Sequence, residues 1–365
     1  MSGKHLLIAA AGTGGHVMPG LAVAREMKKR GWRVTWIGTK KGMEGPLVAK
    51  DGIDFIGLNF QGVRGHGFGG LVTGGIKLLF SGYRCRFILR RLKPDVFFTT
   101  GGYIAVPVNE GAKVNHIKPV LMNCDADVLL STKMILKDAW GVACGFAGSA
   151  RSLAGARGAI TGNPVRADIE AIEDPEVRLQ GRQGPFKLLV FGGSLGAQVL
   201  NETVPKALSF FDPEKRPTVV HQCGVRWVDS VRARYEELGV KAQVVGFIDD
   251  MAAAYRESDL VICRSGATSV AELCAAGAAS ILVPLVVGTT SHQLGNARYM
   301  QENGAAILVE QPQLTPEHLF GTLMTLKREK ILDMAVHARR LSRPHATQAV
   351  ADMIEHVSAL KTRPY

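Results

Sequence analysis

Two glycine-rich turns hold the residues best placed for chemistry: Gly12-Thr13-Gly14-Gly15-His16 near the start and Gly192-Gly193-Ser194-Leu195-Gly196-Ala197 in the middle. Each follows a short apolar run, Leu6 to Ala11 and Leu188 to Phe191, and opens a helical pattern. Glycine lets a backbone approach an anion closely, and the next helix offers unpaired N–H groups carrying about half a positive charge, so both turns predict phosphate binding. A tight strand-to-helix connection without a ligand is the alternative for either turn alone. The G-x-G-x-x-G spacing fails in both. No acidic residue ends the second strand, Val34 to Lys40, to hold a ribose, and this disfavours a nicotinamide dehydrogenase. His16 adjoins the first turn, and histidine ordinarily titrates near neutrality, which makes it a candidate general base; a histidine that only shapes the loop is the rival reading.

The elements that must carry these turns alternate regularly. Strand patterns fall near 5–11, 33–38, 54–58, 95–99, 118–122, 141–144 and 158–161, with helical patterns between them. The alternation restarts at 187–191 and continues at 217–222, 242–246, 259–263, 279–284 and 305–309. Two consecutive βαβ series predict an α/β chain with two helix-covered parallel sheets, in keeping with a length of 365 residues. The join is expected near Gly162-Asn163-Pro164, giving domains 1–163 and 164–342, with a last helix in 343–365 crossing back onto the first.

Charge separates the halves. Residues 1–163 carry 22 Lys and Arg against 9 Asp and Glu, whereas 164–365 carry 22 against 23, so the whole excess of the +12 chain lies in the first half. Only that half is suited to an anionic partner. Nucleic acid is not expected, because no recognition-module signature or aromatic ladder accompanies the charge. The densest basic segment, 71–93, projects as a helix with Ile76, Phe80, Tyr83 and Phe87 in one stripe, bordered by Lys77, Arg84 and Arg91 on one side and Arg86 and Arg90 on the other. Leu78, Cys85, Leu89 and Leu92 form an opposite stripe that can pack on a sheet. An aromatic stripe bordered by cations suits an anionic bilayer surface; a core helix with a solvated basic edge is the alternative. Six cysteines without C-x-x-C spacing read as buried thiols of a reducing compartment. Met1 to His5 runs directly into the first strand and no apolar run nears the roughly 20 residues of a membrane span, so a cytoplasmic protein without a signal peptide is expected.

Seven segments, GTGGHVMPGLA at 12–22, GGY at 101–103, GNPVR at 162–166, GGSLGA at 192–197, FIDDMAAAY at 247–255, CRSGATSVAE at 263–272 and HQLGNA at 292–297, together resemble the MurG family of UDP-N-acetylglucosamine-dependent glycosyltransferases, in that family's order and over most of the chain. The resemblance implies the GT-B fold, two Rossmann-like parallel-sheet domains facing an inter-domain cleft. It implies inverting transfer of N-acetylglucosamine from UDP-N-acetylglucosamine to undecaprenyl-pyrophosphoryl-N-acetylmuramyl-pentapeptide (lipid I), giving the β-1,4-linked lipid II of peptidoglycan synthesis. It further implies peripheral attachment to the anionic cytoplasmic face of a bacterial inner membrane and allows for partners in a cell-wall or division complex.

Residue by residue, the resemblance places Thr13, Gly14 and Gly15 on the acceptor diphosphate and His16 at the acceptor hydroxyl. Arg166, Ser194 and the helix opened by Arg264, Ala267, Thr268, Ser269, Val270 and Ala271 are implied on the donor, with Glu272 on the ribose diol, Phe247 and Ile248 at uracil, and Gln293 and Asn296 on the sugar. A departing diphosphate needs positive charge and a vicinal diol suits a carboxylate, so the residue types fit these roles. Helix-surface positions are the plainer alternative for Glu272, Gln293 and Asn296. Where the family carries His-Glu-Gln-Asn, this chain has Met122-Asn123-Cys124-Asp125, so the family's glutamate is missing. Asp125 could accept a sugar hydroxyl or act as base, and Asn123 could supply the amide if the loop shifts. Thr290 and Ser291 replace acidic residues common in the family. Asp125-Ala126-Asp127 mimics a metal-binding D-x-D, yet Arg166 and helix N-termini can do that electrostatic work, so no cofactor and no protein-bound metal is expected, with a divalent cation on the donor left open. Two other classes compete: a UDP-N-acetylglucosamine 2-epimerase of similar fold, and a catalytically silent nucleotide-sugar-binding scaffold at the membrane.

Overall fold

The computed structural model describes residues 3–12, 14–40, 42–59, 67–153, 158–286 and 292–361, with only the backbone course given for 67–79, 151 and 152. The chain divides into two compact units, Met1–Pro164 with His345–Tyr365, and Val165–Pro344.

The first unit runs β1 (His5–Ala9), α1 (Gly14–Lys29), β2 (Arg33–Thr39), α2 (Glu44–Lys50), β3 (Asp54–Leu58), α3 (Gly67–Leu92), β4 (Val96–Thr99), α4 (Ala105–Val114), β5 (Lys118–Asn123), α5 (Leu130–Leu136), β6 (Gly141–Cys144), α6 (Ala147–Ser152) and β7 (Gly158–Ile160). The second runs α7 (Ala167–Glu170), α8 (Pro175–Arg178), β8 (Lys187–Phe191), α9 (Gln198–Ser209), β9 (Thr218–Gln222), α10 (Val228–Glu237), β10 (Gln243–Val245), α11 (Met251–Glu257), β11 (Leu260–Cys263), α12 (Ala267–Ala276), β12 (Ser280–Leu282), α13 (His292–Glu302), β13 (Ala306–Leu308), α14 (Pro316–Thr325) and α15 (Arg328–Leu341). The last helix, α16 (Ala346–Ala359), belongs to the first unit, where it packs on α1, β5 and β6.

Both sheets are parallel throughout the described residues, in the orders β3-β2-β1-β4-β5-β6-β7 and β10-β9-β8-β11-β12-β13. Leu6 of β1 stands opposite Val34 of β2 and Val96 of β4; Leu188 of β8 stands opposite Val219 of β9 and Leu260 of β11. Central strands are written as unbroken apolar runs because helices cover both their faces: all five residues of β1 and all four of β4 and β11 are buried. In each sheet the order reverses beside the first strand of the unit, at β1/β4 and at β8/β11. The carboxyl ends of the strands there open a crevice between diverging connections, which is where such sheets take ligands. The two glycine turns leave β1 and β8 at these points.

The α3 helix sorts its faces as its sequence requires. Cys85 and Leu89 are buried in a cluster with Leu7, Ile37, Phe97 and Val108, whereas Phe80, Tyr83 and Phe87 are 75%, 62% and 51% exposed. Arg84, Arg86, Arg90 and Arg91 are exposed beside them. Ile76, Lys77 and Leu78 lie where only the backbone is described. Among the described residues no helix is long and apolar enough to cross a membrane. All six cysteines are buried and free.

Candidate active site

In the first unit, the chain leaves β1 through Ala10, whose carbonyl accepts a bond from the buried Trp36 indole at 2.9 Å. That bond fixes the start of the turn. Gly12 then adopts φ +110°, a conformation that side chains disfavour, and α1 begins at Gly14, so Gly14 and Gly15 lie in its first turn. Thr13 lies outside the described residues. His16 is held from two sides by one residue: its Nδ1 lies 2.9 Å from the Thr100 carbonyl oxygen, and the Thr100 hydroxyl donates to the His16 carbonyl at 2.9 Å. A carbonyl only accepts, so Nδ1 carries the proton and the neutral ring has its lone pair at Nε2, the form a general base needs. The Gly101-Gly102 loop packs on this ring, and a Cβ on either glycine would lie within 4.0 Å of it.

The altered run after β5 forms the same end of the sheet. Asn123 is buried, and its amide nitrogen donates to the carbonyls of Asp125 at 2.6 Å and Asp127 at 3.3 Å, while its oxygen accepts from the Thr132 hydroxyl. The expectation that Asn123 offers its amide to a sugar is therefore corrected: both ends of the amide close its own loop. Asp125 is buried and Asp127 exposed, so the D-x-D splits between two environments. Among the described residues no group of three His, Cys, Asp or Glu side chains could hold a metal ion.

In the second unit, the turn after β8 fits because three of its residues are glycine. A Cβ on Gly192 would fall on the backbone of Ala197, and one on Gly196 would fall on the Cys223 carbonyl. Ser194 stands exposed at the tip. Beyond β11, Gly266 caps α12 in extended conformation, which leaves the first N–H groups of that helix unpaired and the end of its dipole bare. The Thr268 hydroxyl there is buried without a partner. Nε and Nη2 of Arg166 are also buried without a hydrogen bond, Nε standing in a long ion pair with Asp168 at 3.5 Å. Half-buried Glu272 follows on the second turn of α12, where the Tyr255 hydroxyl donates to its Oε2 at 3.2 Å. Burial pushes the Glu272 carboxyl up to about 7, against the opposing pull of the Arg166 charge. Guanidinium donors, a hydroxyl and a helix N-terminus together suit an anion of more than one phosphate.

Other expected donor residues divide by burial. Phe247 is 60% exposed after β10, with Ile248 half-buried beside it. Gln293 accepts the Leu285 N–H on its Oε1, and its own carbonyl accepts from Ser265, so it joins the loop after β12 to the α12 entrance. Ser269 and Ala271 are half-buried on α12, with Ala267 buried at its start. Three placements differ from expectation. Val270 is fully buried in the core and offers no side chain to a ligand. Asn296 is likewise fully buried, and its amide donates to the Ser265 carbonyl, bracing the loop behind the site. Arg264 turns to the carbonyls of Val283 and Pro284 and to Gln311, which fixes the loop after β12. Sequence reasoning passed over His292, whose buried Nδ1 has no partner at the start of α13, and Tyr255, whose contact with Glu272 spans 17 residues.

Residues 6–140 match the glycosyltransferase family 28 N-terminal domain and residues 187–357 its C-terminal domain. The chain is 48% identical over 362 residues to a UDP-N-acetylglucosamine–N-acetylmuramyl-(pentapeptide) pyrophosphoryl-undecaprenol N-acetylglucosamine transferase of Methylibium petroleiphilum, covering 98% of each. It is similar to the solved Acinetobacter baumannii MurG, with a TM-score of 0.82 and 34% identity over 97% of this chain and 99% of that one. A solved UDP-N-acetylglucosamine 2-epimerase, 13% identical with a TM-score of 0.65 over 100% of this chain and 98% of its own, shares the fold alone.

Proposed function

The chain belongs to the MurG family within glycosyltransferase family 28, and on that premise we propose that it transfers N-acetylglucosamine from UDP-N-acetylglucosamine to undecaprenyl-pyrophosphoryl-N-acetylmuramyl-pentapeptide. It is a glycosyltransferase of the GT-B α/β fold. The observation that carries the donor half is that Arg166 and Thr268 keep buried donors without hydrogen bonds, Thr268 in the first turn of α12 and Arg166 acting on the charge of Glu272 one turn further along it. Arg166, Thr268 and the α12 N–H groups neutralise the leaving UDP diphosphate, the Gly192–Ala197 turn with Ser194 closes on it, and the Glu272 carboxylate accepts the ribose diol. The Phe247-Ile248 backbone reads uracil, and Gln293 faces the sugar.

The acceptor half uses the first unit. Gly14 and Gly15, with Thr13, cradle the lipid diphosphate at the start of α1. His16 Nε2 takes the proton from the attacking hydroxyl, which displaces UDP from the opposite face of the anomeric carbon and inverts it. Asp125, buried and bound into its loop, is the weaker candidate for that proton. Positive charge on the donor comes from Arg166 and a helix dipole, so no protein-bound metal is assigned. The exposed Phe80, Tyr83 and Phe87 with their arginine border set the first unit against an anionic membrane surface, which brings it to a lipid-linked substrate as a peripheral protein of the cytoplasmic face.

The test is transfer of labelled N-acetylglucosamine from the UDP donor to a muramyl-pentapeptide lipid analogue, with and without EDTA. Labelled disaccharide lipid under both conditions is expected. Folded protein that yields no product in either, or that releases free N-acetylmannosamine, overturns the proposal.

A further inference from the structure

Three buried polar side chains lie behind the Gly192–Ala197 turn on three different elements, and none of them is assigned to a substrate: Asn201 in the first turn of α9, His221 on β9 and Tyr235 on α10. The Asn201 amide nitrogen donates to the Cys223 carbonyl at 3.1 Å, His221 Nε2 lies 3.1 Å from Asn201 Oδ1, and His221 Nδ1 lies 2.9 Å from the Tyr235 hydroxyl. One direction satisfies every group. The Cys223 carbonyl only accepts, so the Asn201 amide presents its nitrogen there and its oxygen to the histidine. Burial keeps the imidazole neutral by pushing it down to about 3, so its one proton sits on Nε2 and the Tyr235 hydroxyl donates to Nδ1. Each of these groups would carry a desolvation cost if left unpaired, so the chain locks Asn201 in a single orientation.

The carbonyl at the end of this chain is where two loops meet. A Cβ on Gly196 would fall on the Cys223 carbonyl, and one on Gly224 would come 2.5 Å from the Leu195 carbonyl oxygen, so the loop after β9 and the turn after β8 interlock backbone to backbone. The same loop also reaches the other way. The Cys223 N–H donates to the Val245 carbonyl at 3.0 Å and the Gln222 side chain donates to the Gly246 carbonyl at 2.9 Å, directly before Phe247 and Ile248. Asn201 itself stands in the helix that the turn opens, where its N–H donates to the Ala197 carbonyl at 3.0 Å. One side chain therefore ties the helix of the diphosphate turn to the loop that supports the uracil segment.

We infer that Asn201, oriented by His221 and Tyr235, is a positioning residue that sets the diphosphate turn against the uracil segment and so fits the second unit to a uridine diphosphate as a single template. This rests on the assignment of the donor to that unit. The test is steady-state transfer with each substrate varied in turn, together with calorimetric titration of UDP into the same proteins. Asn201→Ala and His221→Leu each raise the donor KM and the UDP Kd by about five- to twentyfold, the range for one lost buried hydrogen bond. The kcat and the acceptor KM stay within about threefold of wild type, because the brace acts on donor binding and not on the attacking hydroxyl. His221→Gln, whose amide nitrogen takes the place of Nε2, restores the donor KM to near wild type. The double variant of Asn201→Ala with His221→Leu is no worse than Asn201→Ala alone, since both act through one carbonyl. Should Asn201→Ala fail to fold, the comparison of Leu with Gln at position 221 carries the test with Asn201 intact. A folded variant that only melts at lower temperature and keeps its donor KM, an acceptor KM that rises with the donor KM, multiplying effects in the double variant, or a Gln variant as impaired as Leu overturns the inference. Wild-type protein that binds UDP and transfers normally separates that failure from failure of the functional reading, whereas wild-type protein that does neither defeats both.

Discussion

The Nδ1 of His16 and the carbonyl oxygen of Thr100 lie 2.9 Å apart, and since the carbonyl can only accept, this one bond sets which imidazole nitrogen is basic. No side-chain substitution at Thr100 removes that carbonyl, so the tautomer is fixed by the backbone of the connection after β4. His16→Ala should lower kcat by about a hundredfold or more, in the range of general base catalysis, with the donor KM little changed. A loss below about tenfold in single-turnover transfer would remove His16 as the base.

On the proposed role of Glu272 at the ribose, donor binding should carry a pH dependence whose sign its environment sets. Its carboxyl titrates about 7 because burial disfavours the charge, and only the ionised form accepts both hydroxyls of a vicinal diol. The donor KM should therefore be flat above pH 7 and rise as pH falls below it. Glu272→Gln should show a raised KM with no such slope. A folded-state pKa above the ordinary carboxyl value also means that the fold binds the proton more tightly than the unfolded chain, so this residue's contribution to stability falls as pH rises through 7. Thermal melts of Glu272→Gln against wild type at pH 5 and 8 check the second point.

The exposed α3 stripe should be separable from catalysis. Replacing Phe80, Tyr83 and Phe87 by Ser and Arg84 by Glu should abolish sedimentation with vesicles rich in anionic lipid, since each basic residue is worth about 1 kcal/mol near such a surface. Turnover of a water-soluble, short-chain acceptor should stay within about twofold of wild type. Equal binding of wild-type protein to neutral and anionic vesicles would remove the membrane assignment.

His221 should dominate acid sensitivity of the second unit. It is fully buried between the Tyr235 hydroxyl and Asn201, and burial depresses it to about 3. A histidine held neutral in the fold contributes stability that is complete above its unfolded value near 6.5 and is lost as pH falls toward 3, by about 1.4 kcal/mol per pH unit at most. Denaturant titrations between pH 8 and 4 should show this slope in wild type and lack it in His221→Leu. The network matters to the site because Asn201 also donates to the Cys223 carbonyl, on which Gly196 of the donor turn is packed.

Much of the architecture was legible because its causes are local. A parallel strand covered on both faces must be apolar along its length, so Leu6 to Ala9, Val96 to Phe98 and Leu260 to Cys263 announce themselves as runs. The α3 stripes were equally readable, since a helix places residues three and four apart on one side, and Cys85 with Leu89 indeed face inward while Phe80, Tyr83 and Phe87 face out. Glycines at 12, 192 and 196 marked turns whose backbone excludes a side chain.

The sequence by itself thus determined the two parallel sheets, the position of both glycine turns and the family, through short-range patterning and residue types. Only the tertiary structure decided what individual polar groups do. Asn123 and Asn296 have the right chemistry for a sugar, yet packing turns both inward to brace loops. Arg166 keeps donors without hydrogen bonds, and Glu272 is pushed toward neutrality by burial against the opposing pull of the Arg166 charge and the Tyr255 hydroxyl. The physical reason is separation along the chain: the bond that sets the His16 tautomer joins residues 84 apart, and burial or hydrogen-bond partnership at that distance exists only once the strands are side by side.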